Sequence, residues 1–215
     1  MDVDTLLTTT RSARRSLDLE APVDLDAISE CLRVGLQAPN GSNQQSWRWL
    51  VIAEPSLRTR IADLYREAYL EKVGGQLIAG FLPAGSPEAR LMSSTEWLVE
   101  HLGEVPVLVI PCYQPTYPRT DGDESFYQAT LYGSIFPAVW NFQLALRTRG
   151  YGTCITTLHL QRERAVADLL GIPQGYVQGC LLPVAKLKPG CAVKPAQRRP
   201  IDEVIGIDGW KGGNH

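Results

Sequence analysis

The sequence predicts a single α+β domain in which helices pack a central sheet, and three observations carry that prediction. Helical stretches with apolar residues at 3- and 4-residue spacing alternate with apolar runs too short to be helices. A chain of 215 residues, 44% hydrophobic and 20% charged, is long enough to bury one sizeable core. No internal repeat and no linker between two self-sufficient cores breaks it, so residues 1–215 read as one domain.

The elements follow in order. Asp24 caps a helix in which Leu25, Ile28, Leu32 and Leu36 share a face, and Pro39, Asn40 and Gly41 end it. Trp47 to Ala53 is a strand. Pro55 then opens a helix through Ile61, Leu64, Tyr65 and Ala68 towards Gly74 and Gly75. Residues 76–88, interrupted by Gly and Pro, have no readable structure. Ser94 to Leu102 is helical and leads into Val105 to Cys112, a strand apolar on both faces. Tyr113 to Ser125 is too polar to pack and reads as a mobile loop bordering a site. Ser134 to Arg149 is a helix apolar on nearly every face, with Pro137 in its first turn and Gly150 as its stop, so protein must surround it. A strand from Cys154 to Leu158, a helix from Gln161 to Leu170, a turn at Gly171 to Gly175 and a strand from Tyr176 to Leu187 complete the core. The Pro- and Gly-rich tail from Lys188 to His215 is too poor in apolar residues to fold alone and is expected to embrace another subunit.

Composition narrows the function. The net charge of -2 arises from interspersed charges of both signs, which leaves no basic face for a nucleic acid. No apolar run approaches the roughly 20 residues a bilayer span needs, and the N-terminus lacks a secretory pattern, so no membrane association and a cytoplasmic location are expected. The five cysteines lack CxxC spacing and read as reduced core thiols. There is no GxGxxG after a strand, no GxxxxGK[ST], no HExxH and no GxSxG, and the three histidines are far apart, so triad and zinc hydrolysis find no support.

Three clusters remain. Thr10-Arg-Ser-Ala-Arg-Arg-Ser16 concentrates guanidiniums and hydroxyls, and Arg11, Ser12 and Arg14 suit a phosphomonoester, although a solvated basic patch has the same composition. Pro39-Asn-Gly-Ser-Asn-Gln-Gln-Ser-Trp47 offers amides that donate and accept, as a flavin or nucleobase edge requires, and ordinary turn chemistry explains it equally. Gly150-Tyr-Gly-Thr-Cys-Ile-Thr-Thr157 pairs small residues with a β-branched strand, letting backbone approach a flat ring or simply stopping a helix.

In order and spacing these clusters resemble the FMN-dependent nitroreductase family over most of the chain. The family's Arg-Ser-x-Arg element corresponds to Arg11-Ser-Ala-Arg14, and its Pro-Ser-x-x-Asn-x-Gln-Pro-Trp loop to Pro39 through Trp47. The central helix with its glycine stop and the Arg198-Arg199-Pro200 tail complete the pattern. Asn40 stands where the family has serine and Ser46 where it has proline, which predicts a looser loop.

The resemblance implies a nitroreductase-like, mostly antiparallel sheet with an extended tail exchanged across a homodimer. It implies FMN held at the phosphate by Arg11, Ser12 and Arg14, with Arg15 beside them and Arg198 or Arg199 from the tail. Ser42, Asn43 and Gln45 would meet the ribityl chain and isoalloxazine edge, and Thr156, Thr157 and Leu158 the flavin N5. No catalytic acid or base is implied, because flavin carries the redox chemistry. The implied reaction is ping-pong transfer of hydride from NAD(P)H to a nitroaromatic, quinone or similar acceptor. Phe126 and Tyr127 of the polar loop are candidates to contact that acceptor or to pack in the core. Desaturation, dehalogenation, flavin fragmentation and FMN binding without catalysis are the competing readings on the same scaffold.

Overall fold

The computed structural model describes residues 1–115, 124–191 and 194–210. Six strands form one sheet with the path β1 (Leu17–Asp18), β6 (Leu182–Leu187), β3 (Val107–Tyr113) and β2 (Trp47–Ile52). β4 (Tyr151–Thr153) pairs with β6 and β5 (Val177–Gln178) with β3. Every pairing is antiparallel.

β3 shows why both faces must be covered, since all seven of its residues are buried. Successive strand side chains point to opposite faces. Val107, Val109 and Tyr113 accordingly enter a cluster with Ile28, Val139 and Phe142, whereas Leu108, Ile110 and Cys112 enter one with Ile61, Tyr65 and Leu98. The first cluster is closed by α2 (Leu25–Gly35) and α5 (Glu124–Thr148). The second is closed by α3 (Pro55–Lys72), α4 (Pro87–His101) and α6 (Glu163–Leu170).

Helix boundaries follow local chemistry. Asp24 accepts from the Asp26 N–H to cap α2, and Ser86 accepts from the Ala89 N–H to cap α4 with Pro87 at its first position. Gly150 at φ +77 stops α5.

The structure departs from the sequence reading in five places. An additional helix, α1 (Val3–Thr9), is capped by Asp2 and buries none of its residues. α5 begins at Glu124, so Pro137 lies inside the helix rather than in its first turn, and Phe126 and Tyr127 sit on a helix rather than in a loop. Leu131 and Ile135 bury against the sheet cluster, and that packing extends the helix N-terminally across a stretch whose polarity suggested otherwise. Residues 116–123 of the expected loop lie outside the described residues. The strand expected at Cys154 to Leu158 is instead β4, beginning directly after the glycine stop. Only Thr156 beyond it touches the sheet, through one bridge to Leu181, and a 3-10 turn starts at Leu158. Pairing partners, not β-branched composition, decide where the ladder runs. Gly179 divides the expected strand Tyr176 to Leu187 into β5 and β6. Its N–H donates to the Pro111 carbonyl, and a Cβ there would stand 2.8 Å from Ile135 Cγ2. The unreadable residues 76–88 hold a 3-10 turn, Ala79–Phe81, and the start of α4, which begins at Pro87 rather than at Ser94.

Among the described residues no helix is long and apolar enough to cross a membrane, and no group of His, Cys, Asp or Glu could hold a metal ion. Cys31, Cys112, Cys154 and Cys180 are free and buried, and Cys191 is free and half-buried.

Candidate functional site

The arginine-rich segment between α1 and β1 is fixed at several points. The Ala13 N–H donates to the Thr153 carbonyl at 2.9 Å, the Lys188 N–H to the Ser16 carbonyl at 2.9 Å, and Lys188 Nζ to the Arg15 carbonyl at 3.0 Å. Gly152 makes this approach possible, since a Cβ there would lie 2.9 Å from that of Ala13.

The segment forms one wall of a cavity of about 450 Å³. Arg11, Ser12, Arg14 and Arg15 line it together with Gln143 and Arg147 of α5, Thr153 of β4 and Lys194 at the start of the tail. Among the described residues, five cationic side chains and no carboxylate therefore face one space.

Four buried polar atoms at this cavity have no hydrogen-bond partner among the described residues: Arg14 Nε, Gln143 Nε2, Arg147 Nε and Thr153 Oγ1. Each buried polar group left unpaired costs about 1–3 kcal/mol, so such groups rarely collect by chance. All four can donate, and among the described residues no anionic acceptor lines the cavity. The donor set is that of a receptor for an anion with several acceptor oxygens, such as a phosphate monoester. FMN ends in this group, so the residues present fit it.

Beyond Arg14 lies a second polar set. Burial pushes the Cys154 thiol up to about 11, with the neighbouring Arg14 guanidinium acting in the opposite direction. The Tyr65 hydroxyl and Thr156 Oγ1 are 2.7 Å apart. Burial raises the Tyr65 phenol above its ordinary range, so it remains a donor at neutral pH. Either hydroxyl can donate in this pair, and the contact fixes the Thr156 side chain against α3. The Thr156 backbone exchanges two hydrogen bonds with Leu181, at 3.0 and 2.8 Å, which hold that hydroxyl in place.

The Pro39–Trp47 loop is strained. Ser42, Asn43 and Gln45 all have φ near +50, a region non-glycine residues seldom occupy. Asn40 Oδ1 accepts from the Gln45 N–H at 3.0 Å, the Gly41 N–H donates to Ser134 Oγ at 3.0 Å, and Ser46 Oγ donates to the Gln114 carbonyl at 2.8 Å. Asn40 and Ser46, the two departures expected to loosen the loop, thus supply two of its ties. Asn43 and Gln45 are exposed, and Gln45 Nε2 donates to Asn43 Oδ1 at 3.1 Å.

The structure brings Arg11, Ser12, Arg14 and Arg15 together but not with the amide loop. The loop is tied to α5 at Ser134, and the cavity touches the same helix at Gln143 and Arg147. At 1.5 Å per residue the two places are roughly 14–20 Å apart along the axis. Thr157 is exposed and Leu158 half-buried at the start of the 3-10 turn. Arg198 and Arg199 are exposed and do not line the cavity of this chain. Phe126 is exposed and Tyr127 half-buried in the first turn of α5.

Sequence reasoning missed Gln143, Arg147, Thr153 and Lys194. For the first two a signal existed: polar residues four apart in a helix that is otherwise apolar on nearly every face share one side and need a reason to be buried.

The family model described as "Nitroreductase family" matches residues 7–186. The iodotyrosine deiodinase of Drosophila melanogaster is 25% identical over 202 residues, covering 91% of this chain and 66% of that protein. This chain spans 66%, 59% and 70% of the length of the deiodinases of Drosophila melanogaster, Daphnia pulex and Hydra vulgaris. Among solved structures, an iodotyrosine deiodinase bound to FMN and 3-iodo-L-tyrosine superposes with a TM-score of 0.69 at 21% identity, covering 97% of this chain and 100% of that one. The FMN and NADPH-dependent nitroreductase of sphigopyxis sp. strain HMH also gives 0.69, at 16% identity, covering 98% and 100%. At these identities the structural likenesses establish the fold.

Proposed function

The chain belongs to the nitroreductase family, and from that premise we propose that it is an FMN-dependent oxidoreductase, working as a homodimer, that passes hydride from NAD(P)H to a small electron-poor aromatic acceptor. The observation that carries this reading is the cationic cavity with its four orphaned polar atoms.

Arg11, Arg147 and Lys194 neutralise the cofactor phosphate, while Ser12, Gln143 and Thr153 supply neutral hydrogen bonds that fix its orientation. Arg14 reaches inward from this cavity towards Cys154 and Tyr65, where its fixed positive charge would stabilise negative charge on a bound isoalloxazine. Thr156, held by Tyr65 and Leu181, would offer its hydroxyl to the same ring. FMN, when bound, would supply the hydride-transfer chemistry. The protein contributes no proton-transferring side chain in this scheme. It binds, orients and keeps water out.

The homodimer reading is supported by the exposed tail. The tail exposes Ile201, Val204, Ile205, Ile207 and Trp210, the last at 94%, an apolar set that a second subunit would cover. Arg198 and Arg199, remote from the cavity of their own chain, would travel with this tail.

Reductive dehalogenation is a second reading, favoured by the curated relatives named iodotyrosine deiodinase. Iodide release from 3-iodo-L-tyrosine, compared with turnover of a nitroaromatic, separates the two.

The test of the main reading is the visible spectrum of protein loaded with FMN, desalted, and mixed anaerobically with NADPH and then NADH. A flavin spectrum that survives desalting and bleaches is expected. Loss of the flavin on desalting would overturn the cofactor assignment, and retained flavin that neither nicotinamide bleaches would overturn the reductase assignment.

A further inference from the structure

Of the five cysteines, the fold treats one differently from the rest. Cys31, Cys112, Cys154 and Cys180 are at most 1% exposed, and burial pushes all four thiols up, to about 12 for Cys112 and about 11 for Cys154. A thiol that is neither ionised nor reachable is chemically inert. Cys191 is free and half-buried, and it lines the cationic cavity.

The chain on both sides fixes its place there. Lys188, Pro189, Gly190 and Cys191 form a β-turn closed by the Cys191 N–H, which donates to the Lys188 carbonyl at 3.2 Å. Gly190 takes φ +73 at the third position, which a side chain would disfavour, and Pro189 suits the second. Lys188 ties this turn to the arginine-rich segment through the Ser16 and Arg15 carbonyls, and Arg11 Nη1 donates to the Lys194 carbonyl at 3.4 Å. Cys191 is thereby held against the segment that supplies Arg11, Arg14 and Arg15.

The surroundings select the reagent that meets this thiol. Arg11, Arg14, Arg15, Arg147 and Lys194 share the cavity wall with Cys191, and among the described residues no carboxylate does. Gln143 and Thr153, each 5% exposed, leave Nε2 and Oγ1 at the same wall without a partner among the described residues. A cleft lined by one sign of charge concentrates oppositely charged molecules, raising their encounter rates by about 10- to 1000-fold. A disulfide carrying carboxylates therefore collects beside Cys191, whereas a cationic one is repelled.

We propose that Cys191 is a redox modification site selective for small anionic disulfides, and that its adduct occupies the anion cavity in place of the FMN phosphate. The Cys191 thiolate attacks one sulfur of the disulfide, and a new S–S bond forms as the old one breaks. The departing thiolate carries away the electron pair, and the Cys191 proton passes to solvent. Cys191 is oxidised, the departing half of the reagent is reduced, and an added thiol reverses the exchange. The carboxylate left on the adduct meets the arginines, Gln143 and Thr153, the donors that a phosphate would use, so adduct and cofactor exclude one another. The exclusion rests on the cofactor reading above, and the modification site does not.

The experiment treats the flavin-free protein with dithiodiglycolate, hydroxyethyl disulfide and cystamine, which share one skeleton and end in carboxylates, hydroxyls and ammoniums. Peptide masses locate the adducts, and each rate is divided by that of the same reagent with free cysteine. One adduct is expected, at Cys191, formed about a hundredfold faster by dithiodiglycolate than by cystamine at low salt. The preference should shrink at about 1 M salt, where charges are screened within about 3 Å. Protein carrying the dithiodiglycolate adduct should lose FMN on desalting and hold it again after reduction, while Cys191→Ser should hold FMN with or without the reagent. Rates that ignore the charge of the reagent, or modification of a buried cysteine ahead of Cys191, would overturn the site. An adduct at Cys191 that leaves flavin retention unchanged, or flavin loss from treated Cys191→Ser, would overturn the exclusion. Unmodified protein that holds no FMN would sink the cofactor reading and the exclusion with it, and the charge preference, measured without flavin, is read independently of that result.

Discussion

Replacing Gln143 by methionine should move two properties in opposite directions. Gln143 is 5% exposed and its Nε2 lacks a partner, so without ligand it carries the penalty of a buried unpaired donor, about 1–3 kcal/mol. Methionine has nearly the same length, is unbranched, and fills irregular space without a polar atom. The ligand-free variant should therefore unfold at a higher temperature, by about 2–4 °C for each kcal/mol recovered in a chain of this size. In the FMN-loaded protein the same change removes a hydrogen bond to a charged phosphate, worth about 1.5–3 kcal/mol, and raises the FMN Kd about ten- to a hundredfold. Thermal unfolding with and without FMN, together with titration of flavin fluorescence, reads both quantities. A variant that binds FMN like the parent, or that is less stable without FMN, would refute the assignment of this cavity to the phosphate.

Other outcomes follow from the same geometry. Arg14→Ala should weaken FMN binding about tenfold or more, with a change in the flavin absorption bands because Arg14 also approaches Tyr65 and Cys154; unchanged affinity and spectrum would place the ring elsewhere. His159 is fully buried with neither ring nitrogen partnered among the described residues, and burial pushes its pKa down to about 4 from an ordinary 6.5. The fold holds the neutral form, so the full contribution is present above pH 6.5 and is lost as the pH falls towards 4. Unfolding in urea should show a loss of about 3 kcal/mol across that window, which His159→Leu abolishes, and identical pH profiles would remove His159 as the cause. Trp210→Ala should raise the dimer dissociation constant about thirtyfold, the effect of one well-buried aromatic anchor, as read by sedimentation. An unaffected dimer would show that the tail does not cover a partner.

Local patterns in the sequence determined most of the elements. The cap at Asp24, the proline start at Pro55, the apolar run of β3 and the glycine stop at Gly150 all act within a few residues of themselves, and each appears where its chemistry requires. The Arg11–Arg14 and Asn43–Gln45 clusters were legible for the same reason, as dense groups of one chemistry. Tertiary structure decided what depends on neighbours distant in the chain. It drew α5 back to Glu124, burying Leu131, and it ended β4 at Thr153, with Thr156 bridging to Leu181 beyond it. It also assembled the anion cavity from α5, β4 and the start of the tail, adding Gln143, Arg147, Thr153 and Lys194 to the arginines already visible. A hydrogen-bond donor left unpaired in a sequence is unremarkable. Only packing, by removing water from four of them around one space, turns them into a site.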